Sequence, residues 1–108
     1  MTVVSVYAIF ADAEEAERIG RAMVEERLAA CVNILGPVRS IYRWKGAVET
    51  ADEVAAIFKT SDERAGDLIA RIAALDSYDV PCVAVWPIDK ILGAYATWVE
   101  DGVRGSDR

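Results

Sequence analysis

The chain has 108 residues, 54% of them hydrophobic, and a net charge of −6 from 18 acidic and 12 basic side chains. That length fits one domain, and an apolar fraction above the ~45–50% of globular chains excludes intrinsic disorder. The acidic balance argues against a nucleic-acid partner, and the absence of histidine excludes histidine triads, proton shuttles and histidine-bound zinc.

Val3 to Phe10 is apolar at nearly every position and rich in β-branched and aromatic residues, as in a central strand covered on both faces. No basic residue precedes this run, so it lacks the charged start of a secretory signal. No apolar run reaches the ~18 residues of a membrane span, and a cytoplasmic protein away from the membrane is expected. Asp12 followed by Glu15 resembles a capping box. Ala16, Ile19, Gly20, Met23, Val24 and Leu28 then recur at helical spacing, which predicts an amphipathic helix of about sixteen residues.

A second strand begins at Cys31 and is broken or bulged by Gly36-Pro37. Beyond the break, Val38, Ser40, Tyr42 and Trp44 alternate with Arg39, Ile41, Arg43 and Lys45. Lys45-Gly46 has the character of a hairpin tip. The chain returns over Val48–Thr60, with a bulge expected in its charged first half. Thr60 or Ser61 then caps a helix with Ala65, Leu68, Ile69, Ile72 and Leu75 on one face. Residues 76–81 form a polar turn, Cys82–Trp86 a last strand ended by Pro87, and Ile91, Leu92, Tyr95, Trp98 and Val99 a short helix. The tail from Gly102 to Arg108 is expected to fray.

The order predicts an α+β, ferredoxin-like β-α-β-β-α-β sandwich with a long hairpin and a short C-terminal helix. At ~3.3 Å per residue, hairpin arms of about fourteen residues reach ~45 Å. A domain of this size has a radius of gyration near ~13 Å, so the hairpin must project past its own sheet. Isolated ribbons are marginal in water, and a second copy of the chain is the expected partner.

Chemistry-bearing residues are few. The glycines match no phosphate-binding loop, and no catalysis is expected. Cys31 and Cys82 are the only cysteines and are expected to be reduced. Cys31 reads as buried packing or as a soft ligand for copper(I), and Cys82 likewise. Asp76 and Asp79, beside Tyr78, serve a turn or a site for a hard cation or small molecule. Lys59 is a snorkelling strand-end lysine or a binding group. Tyr42, Trp44 and Trp98 are candidates for a subunit interface.

Several separated segments resemble one family, the CutA divalent-cation tolerance proteins. They are LAACVNI from Leu28 to Ile34, the Ser40, Tyr42, Trp44 and Gly46 pattern, Lys59-Thr60, Tyr78 with Pro81, Pro87-Ile88, and Tyr95 with Trp98. The resemblance covers roughly residues 3–99. It implies a homotrimer and a role in the response to metal ions, copper in particular, without an established reaction. It points to Cys31 and Asp76 as metal candidates, with weak binding of copper or another divalent cation and no required cofactor. A likeness to the PII signalling proteins implies an alternative, an effector bound in intersubunit clefts near Lys59, Tyr78, Asp76 and Asp79. The chain departs from the family pattern in having Asp76-Ser77 where His-Pro is common, Cys82 where Glu is common, and Ile91-Leu92 before the last helix.

Overall fold

The computed structural model describes residues 2–104. The elements are β1 (Val3–Phe10), α1 (Ala13–Glu25), β2 (Cys31–Trp44), β3 (Ala47–Ser61), α2 (Asp62–Leu75), β4 (Val83–Pro87) and α3 (Gly93–Val103). The strands form one sheet in the order β2-β3-β1-β4, every neighbouring pair antiparallel. This is the expected ferredoxin-like arrangement.

Local chemistry sets the element ends. The Asp12 carboxylate accepts the Glu15 N–H at 2.8 Å and starts α1. The helix is shorter than its apolar spacing predicts, because Arg27 turns into the left-handed region at φ 61°. The Arg27 and Leu28 N–H groups donate back to the Val24 and Met23 carbonyls, and this pair of bonds closes the helix end. Of the two candidate caps for α2, Ser61 accepts the Arg64 N–H. Thr60 is buried and donates its hydroxyl to the Leu28 carbonyl at 2.7 Å.

The hairpin turns at Lys45 and Gly46, both with positive φ, which matches the right-handed twist of the flanking strands. Of the two places where a bulge was expected, the one beside Gly36-Pro37 has it and the charged first half of β3 does not. β3 pairs without interruption from Ala47, and the register shifts in β2 between Ile34 and Gly36. Leu35 is the extra residue there, and Gly36, at φ 111°, supplies the backbone conformation the offset needs. The C-terminal end also differs from expectation. α3 continues through Gly102 to Val103, whose side chain is buried, and Arg64 Nε donates to the Val103 carbonyl at 3.0 Å. Residues 105–108 of the expected tail lie outside the described residues.

Alternation divides the sheet into two faces. Val6, Ala8 and Phe10 of β1 and Ala56 and Phe58 of β3 meet Ala16, Ile19 and Met23 of α1 and Leu68 and Ile72 of α2. Phe10 and Phe58 touch edge to face. The opposite face carries Ser5, Tyr7 and Ile9 beside Lys59, Ile57 and Ala55. α3 covers only one end of it, where the Tyr95 hydroxyl and Cys31 Sγ lie 3.4 Å apart. Tyr7 and Trp86 stack at 4.6 Å in the middle, and Trp86 stays exposed.

β1 covers β3 only from Val54 to Ser61. Residues 47–53 of β3 and their partners in β2 therefore stand beyond the sheet as a two-stranded ribbon. The longest axis of the molecule is 46 Å and its radius of gyration 14.4 Å, in line with the projecting hairpin.

Leu68 is fully buried at the centre of the helical layer. Leu68→Ala is expected to destabilise the protein by about 2–5 kcal/mol in urea unfolding at fixed protein concentration. A loss below about 1 kcal/mol would place Leu68 outside the cooperative core.

Candidate functional site

The second face of the ribbon, together with the turn after α2, encloses a cleft of about 550 Å³. The floor follows from strand alternation. Ser40, Tyr42 and Trp44 of β2 share a face with Glu49 and Glu53 of β3, and Tyr42 lies directly across from Glu49. Ile9 closes the inner end, and Ser77, Tyr78, Asp79, Val80 and Cys82 form the wall.

Carboxylates hold that wall in place. Glu15 looks solvated from its position in the first turn of α1, yet it is only 5% exposed. Its two oxygens accept the N–H groups of Ala11 and Ser77, each at 3.1 Å. The start of α1 and the turn after α2 are thereby tied to one side chain, with the Arg18 guanidinium 3.8 Å away. Asp76 Oδ1 accepts the Tyr78 N–H at 2.9 Å, while Asp76 Oδ2 is buried and has no partner among the described residues. The Tyr78 hydroxyl donates to Glu53 Oε2 and fastens the turn to β3. The Ile9 N–H donates to the Cys82 carbonyl at 3.1 Å.

The electrostatics follow from this crowding. Burial, and then the negative charges of Glu15 and Glu53, raise the Asp76 pKa, and the bond from the Tyr78 N–H only partly opposes them. Burial and the bond to Glu53 push the Tyr78 phenol far up, so it remains a neutral donor. Burial, Glu53 and Asp76 also raise the Cys82 thiol, which favours its protonated form over the thiolate needed for nucleophilic attack or soft-metal ligation. Near Cys31 the Tyr95 phenol is pushed up to about 12 by burial and by its contact with the sulfur.

The structure brings some candidate residues together and separates others. Tyr78 and Asp79 line the cleft, and so do Tyr42 and Trp44. Lys59 does not. It sits in one cross-strand row with Cys31, Ser5 and Trp86, near α3. The cleft lies near the Ile9 end of β1, four residues or roughly 13 Å along the strand from that row. Asp76 is at the cleft end, so Cys31 and Asp76 do not converge within one chain. Among the described residues no group of three or more Cys, Asp or Glu side chains could hold a metal ion. A single chain therefore does not fit a closed metal centre. Both cysteines are free. Trp98 is half exposed and stacks on Tyr95 at 5.8 Å, away from the cleft.

Sequence reasoning missed Glu15, Glu49 and Glu53. The alternation found in β2 continues into β3 once the turn is fixed at Lys45-Gly46, and it would have set Glu49 across from Tyr42 and Glu53 across from Val38, on the face of Ser40 and Trp44. Glu15 carried only its capping-box spacing, which says nothing about what its carboxylate reaches.

These features define a ferredoxin-like chain with an overlong central ribbon and an acidic, aromatic cleft on the ribbon's uncovered face. The chain belongs to the family of the CutA1 divalent ion tolerance protein, whose model matches residues 4–102. The divalent-cation tolerance protein CutA of Archaeoglobus fulgidus is 38% identical over 98 residues, spanning 91% of this chain and 95% of that protein. A solved A. fulgidus structure, described as a periplasmic divalent cation tolerance protein, superposes with a TM-score of 0.91 at 36% identity over 94% of this chain and 99% of that one. CutA1 from Oryza sativa superposes at 0.93 with 33% identity, over 98% of this chain and 97% of its own.

Two substitutions test the wall. Tyr78→Phe leaves Glu53 without its donor and is expected to cost about 1.5–3 kcal/mol of stability, the range for a hydrogen bond to a charged group. Asp76 is more basic folded than unfolded, so its charge costs stability above its raised pKa, and that cost fades as pH falls through it. Asp76→Asn keeps an acceptor for the Tyr78 N–H and adds donors among carboxylates. It is expected to raise the melting temperature at pH 7 and to remove part of the gain that wild type shows on mild acidification. A lower melting temperature at pH 7 would contradict this account.

Proposed function

We propose that the protein serves the metal-ion response of its family as a non-catalytic homotrimer. The observation that carries this is the ribbon. Among the described residues its β2 edge is unpaired, and it exposes Ile41, Tyr42, Trp44 and Val48 beyond the reach of the chain's own core. Exposed strand edges bearing apolar side chains are stable in water when another chain covers them. The number three comes from the family resemblance.

Copper(I) is the metal we infer, held through Cys31 and not Asp76. Thiolate suits this soft ion, whereas carboxylate suits magnesium, calcium or manganese. One thiol per site is too few, so Cys31 side chains of more than one copy share the ion, and binding is weak. Two free thiols support a reducing compartment such as the cytoplasm. Among the described residues no helix is long and apolar enough to cross a membrane.

Light scattering at micromolar concentration is expected to return three times the chain mass of 11.8 kDa. The monomer mass would overturn the assembly, and a dimer would overturn the number. Titration with copper(I) against a competing chelator is expected to lose its binding signal in Cys31→Ala and keep it in Asp76→Ala. The reverse pattern would show that the carboxylate is the ligand.

A further inference from the structure

The outer ribbon has two faces of opposite character. Toward the cleft it carries Tyr42 and Trp44 with Glu49 and Glu53; Asp79 stands on the facing wall, and no Lys or Arg is among the residues that line this space. The other face continues the side of the sheet that packs on the helices. Val54 is the last buried residue there on β3, and Asp52, Thr50 and Val48 beyond it are exposed. Alternation sets Arg39, Ile41 and Arg43 of β2 across from them. Ile41 and Val48 are 71% and 61% exposed. Arg39 is held by Asp52 at 2.9 Å. Arg43 reaches the Gly46 carbonyl at 3.5 Å and has no ion pair among the described residues.

Symmetry and charge together select which faces meet. A twofold contact sets a patch against its own copy, whereas a ring of three sets each patch against a different one on the next copy. Cleft face against cleft face would bring Glu49, Glu53 and Asp79 against the same carboxylates, and like charges brought together at an interface are costly. Cleft face against the opposite face joins unlike charges and lays Ile41 and Val48 on Tyr42 and Trp44. A guanidinium suits this mixed lining, because its planar donors pair with carboxylates and its plane stacks on aromatic rings. The ribbon tip already holds a cation near one of these rings, with Lys45 Nζ 5.7 Å from the centre of Trp44.

We propose that the cleft of each copy is filled by the ribbon of the next copy, whose Arg43 pairs with Glu49, Glu53 and Asp79 while its Ile41 and Val48 cover Tyr42 and Trp44. The acidic site is then completed by a residue of the neighbouring chain. This rests on the homotrimer reading above and adds which surfaces meet in it. The exposure of both faces belongs to the single chain and is lost when the ring closes.

The test is a charge exchange in the full chain, comparing wild type with Arg43→Glu, Glu49→Arg and the double variant. Tyr42 lies across from Glu49 and Arg43 across from Val48, so Arg43 and Glu49 are on opposite faces of their own ribbon. A rescue in the double variant therefore reports a contact between copies. Both residues are exposed, and slow exchange of the β1 amides verifies that each variant folds. Dissociation is followed by light scattering in urea at fixed protein concentration. Each single variant is expected to dissociate about tenfold more readily, as for a charge reversed at a close interfacial pair. The double variant is expected to dissociate less readily than either single one. A wild-type mass of one or two chains would overturn the homotrimer and this proposal together. A wild-type trimer whose dissociation is unchanged in either single variant would overturn this proposal alone. A double variant no more stable than the weaker single one would do the same.

Discussion

A mismatch of strand lengths governs this molecule. β3 runs from Ala47 to Ser61, and its inner neighbour β1 covers only Val54 to Ser61. Among the described residues, 47–53 pair with β2 alone, and β2 is itself an edge strand. A two-stranded ribbon in water is marginal because it buries one ladder of hydrogen bonds and little apolar surface. Here the ribbon also exposes large apolar side chains, Ile41 and Val48 among them. Both the proposed assembly and the cleft follow from this. The edge calls for another strand, and the uncovered face forms the floor on which the turn after α2 builds a wall.

That wall depends on buried charge. Glu15 spends its acceptors on two backbone N–H groups far apart in sequence and thereby sets the turn against the start of α1. Tyr78 links the same turn to Glu53 on the ribbon. Asp76 is the member left incomplete, with one oxygen buried and unpartnered in a field of like charge. The result is a concavity whose wall is held by hydrogen bonds to the Glu15 and Glu53 carboxylates.

Most of the fold was legible in the sequence because each element had its own local signal. The alternation after Gly36 and the Lys45-Gly46 tip located the ribbon, and their spacing gave its reach. The bulge expected in β3 but absent there shows where local signals stop. Both the Gly36-Pro37 break and the charged run before Glu53 are compatible with an extra residue, and only pairing with β1 and β2 decides between them. α1 ends early because Arg27 accepts a left-handed backbone that its residue type does not advertise. The site was half legible. Tyr42, Trp44, Tyr78 and Asp79 carried marks of function, whereas Glu15, Glu49 and Glu53 gained their roles only from packing. Resemblance set Lys59 with Tyr78, Asp76 and Asp79 at a cleft between subunits and named Cys31 with Asp76 as metal candidates, and within one chain the register of the sheet places Lys59 and Cys31 at the other end from the turn after α2.

The central claim is that the outer ribbon is stable because other chains cover it. Native-state hydrogen exchange of the β2 amides that point away from β3 tests this directly. In a ribbon paired with another copy these amides exchange as slowly as those of β1, and their protection falls as dilution dissociates the assembly. Exchange at unprotected rates at every concentration, with β1 fully protected, would mean that the ribbon stands free in solution and would contradict the account.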